Sequence, residues 1–156
     1  MKTHLDMSGI VELEKKLAAL ESKQVDWGYV NGGVHSKAGI PYASLATMIE
    51  FGLGPGMPPR PAFRDHVERL KSNYLRFESS VKPFLSQYLE DKQSVHRVLD
   101  VAGTHLANRY SESMEYFIIN GSENRNNKDS TVAIKGFDQP FVETGELISH
   151  VDYRIH

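Results

Sequence analysis

The chain reads Ile49-Glu50-Phe51-Gly52 and then, after a short Gly/Pro loop, Met57-Pro58-Pro59-Arg60-Pro61-Ala62-Phe63, and no other stretch limits the possible folds so tightly. Ala43, Leu45, Ala46, Met48 and Ile49 make an apolar helical run that Gly52 can end in the left-handed conformation. Pro55, Pro58 and Pro59 fix φ and turn the residues before them away from helix, whereas Pro61 suits the first turn of a second helix. A backbone restricted at so many positions holds a corner of fixed shape. Glu50 and Arg60 are the only charges between its aromatic ends, Phe51 and Phe63. Glu50 is expected to cap the turn, to pair with Arg60 across it, or to meet an arginine of a neighbouring subunit. The plain alternative is a solvated pair worth at most about 1 kcal/mol. Phe51 reads as a core residue or an interface anchor, and Phe63 as a core anchor at the head of the second helix.

Around this corner the hydrophobic periods outline the remaining elements. Ile10, Leu13, Leu17 and Leu20 form one stripe of an N-terminal helix over residues 8–23 that Ser8 is placed to cap. Such a stripe more often packs on its own domain than on a partner. Val25, Trp27 and Tyr29 alternate as a strand, and Asn31-Gly32-Gly33 is turn chemistry, so residues 31–39 are a hairpin tip or a flexible loop. Phe63, Val67, Leu70, Tyr74 and Phe77 mark a long helix that Pro83 should kink or break. Ser94 caps another, with Val95, Val98, Leu99, Ala102, Leu106, Tyr110, Met114 and Phe117 inward. Residues 120–129 are polar enough for a second flexible loop, and Val151, Tyr153 and Ile155 alternate as a terminal strand.

Composition removes several classes of function. At 156 residues the chain is expected to be one domain, residues 1–156, with no cysteine and therefore no disulfide. No run nears the roughly 20 apolar residues of a membrane span, and no signal peptide is evident. A net charge of −2 argues against a chain whose main work is coating nucleic acid. His66, His96 and His105 fall on helices without the spacing of a helical zinc site, and the seven histidines read as scattered surface residues. No G-x-S-x-G elbow is present, and Gly52-Leu53-Gly54-Pro55-Gly56 lacks the Lys-Ser/Thr ending of a phosphate loop. These absences favour a non-enzyme with no cofactor and no metal.

Three pieces of the chain resemble, in order and spacing, the tail-completion and virion-morphogenesis family of tailed-phage neck proteins, which includes relatives of the minor tail protein Z of phage lambda and protein G of phage Mu. Ala46 to Gly52 with Pro58 to Phe63 matches the family's corner, and Trp27-Gly28-Tyr29 stands in the place of its early strand. Pro140-Phe141-Val142-Glu143-Thr144-Gly145-Glu146-Leu147 is similar to its late signature before a terminal strand. Ala62 stands where the family places an aromatic residue, with Phe63 one step later. The resemblance implies a structural virion protein acting in tail completion and head-tail joining, located in the virion after assembly in the host cytoplasm. Its partners would be the connector, the tail terminator and the tail tube, with a homo-oligomeric ring, no membrane, and DNA only as passing cargo. A tail terminator or head-tail connector component is the alternative, followed by a small nucleic-acid-binding or enzymatic phage protein. The interface or shape-setting residues would be Glu50, Phe51, Gly52, Pro58, Arg60, Pro61 and Phe63, with Pro140, Phe141, Thr144, Gly145 and Leu147 as the late motif. The expected fold is α+β: a small, mainly antiparallel sheet of at least three strands against two long helices, with an N-terminal amphipathic helix.

Overall fold

The computed structural model describes residues 7–54, 58–119 and 145–156, the side chains of 117–119 excepted, and the single positions Asp129 and Ala133, both helical. Expectations that fall on Pro55, on residues 120–128, or on Pro140, Phe141 and Thr144 lie outside these residues. The described elements run α1 (Ser8–Glu21), β1 (Val25–Gly28), α2 (Tyr42–Phe51), α3 (Ala62–Ser72), α4 (Tyr74–Leu89), α5 (Val95–Ile119), α6 (Glu146–Ser149) and β2 (Asp152–Ile155). The class is α+β, mostly helical, with a small antiparallel sheet.

Helix α5 is the support for the rest, and its sequence explains why. Val98, Ala102, Leu106, Tyr110 and Met114 recur every four residues, and all five are buried. The Ser94 hydroxyl accepts the Arg97 amide at 3.2 Å, which starts the helix as its sequence foretells. Helices α3, α4 and α6 and both strands pack against it. Ala62, Tyr110 and Met114 form the centre of the core, with Trp27, Tyr29, Ile148 and Val151 packed around them.

The two strands pair with Val25 opposite Ile155 and Trp27 opposite Tyr153. Reciprocal backbone bonds between Gln24 and His156, at 2.7 and 3.0 Å, extend the ladder by one pair. Two strands alone are marginal in water, so this sheet relies on the helix beneath it. Gly103 makes the approach possible: a Cβ built there would lie 2.2 Å from Cδ2 of Tyr153. With no side chain in the way, the Tyr153 ring packs directly on α5 and its hydroxyl donates to Asp100 one turn away. The third strand expected from the sequence is not found among the described residues.

Four further expectations are corrected. The helix expected from Phe63 to Pro83 instead breaks at Asn73, whose Nδ2 and amide both bond the Arg69 carbonyl, at 3.1 and 2.9 Å. Short polar side chains that bond the local backbone compete with the helical ladder, and Ser72 adds a third such bond to Arg69. Pro83 sits inside α4 without ending it, because it lies on the exposed face, where water can satisfy the carbonyl it leaves unpaired. On α3 the buried residues are Ala62 and His66, one step out of phase with the expected stripe. The stripe of α1 is not covered by its own domain: Ile10, Leu13 and Leu17 are 51%, 44% and 46% exposed.

The hairpin alternative describes residues 31–39. Val34 bridges Pro41, the His35 amide bonds Ile40 at 2.9 Å, and Tyr42 bonds back to Gly33 at 3.2 Å, so the closing bonds come from the chain itself.

Gly103→Ala is expected to destabilise the protein by about 1–3 kcal/mol, since the new methyl group must displace the Tyr153 ring. In a Tyr153→Ala background the same change should be close to neutral. Thermal unfolding of the four variants checks this, and equal losses in both backgrounds would contradict the contact.

Candidate functional site

The corner is closed as its sequence suggests. Gly52 ends α2 at φ 66° and ψ 40°, and the Leu53 amide reaches back to the Met48 carbonyl at 2.9 Å. The returning chain is fixed by the Arg60 amide on the Ile49 carbonyl at 2.8 Å. Pro58 is half-buried, and Pro61 stands at the N-cap position, one residue ahead of the first turn of α3 where the sequence reading places it.

Glu50 is 8% exposed and closes the corner as a cap. Its carboxylate accepts the Phe63 and Arg64 amides at 3.0 and 3.2 Å, two of the donors that the first turn of a helix leaves without partners. A negative charge there also meets the positive end of the α3 dipole. The cation on Glu50 is Arg64, with Nε at 2.9 Å, and not Arg60. The Arg64 guanidinium also donates to the Glu50 carbonyl at 3.1 Å. Helix geometry explains the choice, since Arg64 lies inside the first turn beside the cap. Arg60, 6% exposed, is buried with a partner of its own. The solvated-pair reading is therefore excluded for both residues.

The aromatic ends differ from expectation as well. Phe51 is 55% exposed, which removes the core reading, and the Arg64 guanidinium lies 5.1 Å from its ring centre. Phe63 is 39% exposed, with its ring edge-on to Tyr110 at 5.4 Å. The core position opposite Tyr110 belongs to His66, which is almost fully buried and contradicts the reading of the histidines as surface residues. His35 is buried too.

The late motif builds a second carboxylate hub. Gly145 adopts φ 70° ahead of α6, and Leu147 is buried, with its carbonyl accepting the Tyr29 hydroxyl at 2.8 Å. Glu146 accepts the Ser36 amide at 2.9 Å, the Ser36 hydroxyl, and the Tyr42 hydroxyl at 2.8 Å. These bonds, those from Ser36 first, hold the Glu146 carboxyl down to about 2. Tyr42 stacks on His150 at 4.1 Å, so the hairpin, the start of α2 and the late motif are tied together. Burial pushes the Tyr110 hydroxyl up to about 12, with the Glu50 charge adding to the shift, which places the core tyrosine beside the first hub.

The structure thus brings the corner and the visible late motif, Gly145 and Leu147, onto one core. Sequence reasoning missed Arg64, Ser36, Tyr42 and Glu146 as members of the two hubs. Glu146 stands 110 residues from Ser36 and 104 from Tyr42, so no linear spacing ties the carboxylate to its donors. Each carboxylate is saturated by fixed donors, so what the arrangement does is position backbone. Among the described residues no group of three or more His, Asp or Glu side chains could hold a metal ion.

Removing the acceptor at the corner tests the cap. Glu50→Ala is expected to lower stability by about 2–4 kcal/mol, because two helix amides and a guanidinium lose a charged acceptor. Arg64→Ala should cost less than about 1 kcal/mol, since that side chain is 56% exposed. Urea unfolding separates these outcomes, and equal losses would contradict the cap.

Glu146 predicts a pH dependence. Its carboxyl titrates lower in the folded chain than in the unfolded one, so its contribution is complete above the ordinary value of 4.5 and is lost as pH falls through about 2. Glu146→Gln should therefore flatten the fall in the urea midpoint across that window. A parallel acid limb in the variant would refute the assignment.

Neither a family model, nor a curated protein, nor a solved structure matches this chain.

Proposed function

We propose that the chain is a structural subunit of a tailed-phage neck, acting in tail completion and head-tail joining as a homo-oligomeric ring. Three pieces of the sequence support the family, and the structure offers a physical reason for assembly. The observation that carries it is the way α1 is held. Lys16 on α1 donates to the Leu89 carbonyl and pairs with Asp91, both at 2.7 Å, and the Tyr88 hydroxyl donates to the Lys16 carbonyl at 2.9 Å. Polar contacts therefore anchor this amphipathic N-terminal helix to the end of α4, and Ile10, Leu13 and Leu17 remain open. A row of apolar side chains of this kind is what a neighbouring subunit covers.

The corner adds a second apolar surface, Phe51 at 55% and Leu53 at 63% exposed, on a backbone that is fixed before any partner arrives. Pre-set geometry lowers the entropy lost on association. The activity on this reading is geometric: rigid subunits present complementary faces around a passage for DNA, with no bond made or broken.

Charge placed in the α1 stripe should separate folding from joining. Leu13→Glu with Leu17→Glu is expected to leave the melting temperature within a few degrees of the parent, because neither side chain is buried. The same pair should abolish incorporation into particles and leave filled heads unjoined to tails. Light scattering on the purified chain and electron microscopy of complemented particles give the two readouts. Normal particle yield with the double variant would overturn the proposal.

A further inference from the structure

Behind the corner, α3, α4 and α5 line an open cleft of about 300 Å³. Its polar lining is strongly one-signed: Arg69, Arg76 and Arg109 face it with a single carboxylate, Glu112. Glu112 is used by the Arg109 guanidinium, which leaves a net charge of two positive around the space. The Arg69 guanidinium lies 4.0 Å from the centre of the Tyr116 ring, a contact that holds the cation in place without neutralising it. Arg76 makes no ion pair through its side chain among the described residues.

Two histidines complete the wall. His66 is 1% exposed, and its Nε2 atom is buried without a hydrogen-bond partner. His105 lines the same space, and its basicity is lowered by burial and then by the charges of Arg109 and Arg76. The field in the cavity therefore disfavours further positive charge and favours an anion.

We infer that this cavity is a binding site for a phosphoryl group carried by a small phosphate ester. Size and charge both select that class. The volume falls at the small end of ligand pockets, enough for a phosphate with a compact body. Planar guanidinium groups on three helices supply donors from several directions, which suits a tetrahedral dianion better than a single carboxylate. A nucleic-acid strand needs cations spread along a track, and here they converge on one hollow of a chain whose net charge is −2. The site owes nothing to the assembly reading, since one copy of the chain contains all of it.

The test is titration of the full chain with inorganic phosphate and with pyrophosphate, followed through the ring resonances of His66 and His105 and by calorimetry. Both rings should shift together, and pyrophosphate should bind more tightly than phosphate. Arg76→Gln and Arg109→Gln should each weaken binding about tenfold or more, the loss expected for one charge-assisted contact. Arg76 is exposed on α4, so its variant retains the fold. Arg97→Gln, on α5 but outside the cavity, should bind as the parent does. Absence of any shift at millimolar phosphate, or equal binding by Arg76→Gln, would overturn the site. A single-stranded oligonucleotide that binds through Arg76 while phosphate and pyrophosphate remain silent would overturn the small-ester assignment.

Discussion

The close contact between β2 and α5 at Gly103 is the constraint on which the rest depends. A two-stranded sheet has too little apolar face to stand alone, and the longest buried apolar stripe among the described residues is that of α5. Bringing strand and helix together requires one position on the helix with no side chain, and Gly103 is that position. Once Tyr153 lies against it, Trp27 is carried by pairing onto the same core, where its ring meets Phe63 and His66. The sheet, α3 and α5 are then parts of one packing unit.

Two buried or half-buried carboxylates fix how the loops meet this unit. Glu50 joins the end of α2 to the start of α3, and Glu146 joins the hairpin and α2 to α6. Each joins separate elements through backbone amides as well as side chains, which sets orientation more strictly than apolar contact does. Exposed apolar residues on α1 and at Phe51 and Leu53 lie outside these fixtures. A rigid frame with unburied apolar edges is the physical basis for the assembly proposal, and the cavity of arginines is a separate property of the same frame.

Much of the frame was legible in the linear pattern where local rules dominate. The four-residue recurrence of α5, its Ser94 cap, the presence of both strands and the left-handed Gly52 follow from sequence and hold in the structure, whereas burial does not alternate along either strand. Competing local bonds were less visible: Asn73 and Ser72 ended a helix whose apolar period ran on through them, and an exposed Pro83 failed to end one. The site was legible as a place and not as a set of contacts. Glu50 was identified, but its partner depended on the phase of α3 after Pro61, which put Arg64 and not Arg60 beside the carboxylate. His66 looked like a surface residue because composition says nothing about the ring contacts from Tyr110 and Trp27 that enclose it.

Residue-resolved hydrogen exchange on the free chain tests the central claim, that the sheet and α5 are one cooperative unit while α1 stands apart from it. The account predicts that the amides of Trp27 and Tyr153 open with the same free energy as those at the middle of α5, around Leu106. It also predicts that α1 opens at far lower free energy. Strand amides exchanging well before α5, or α1 amides protected as strongly as Leu106, would contradict it.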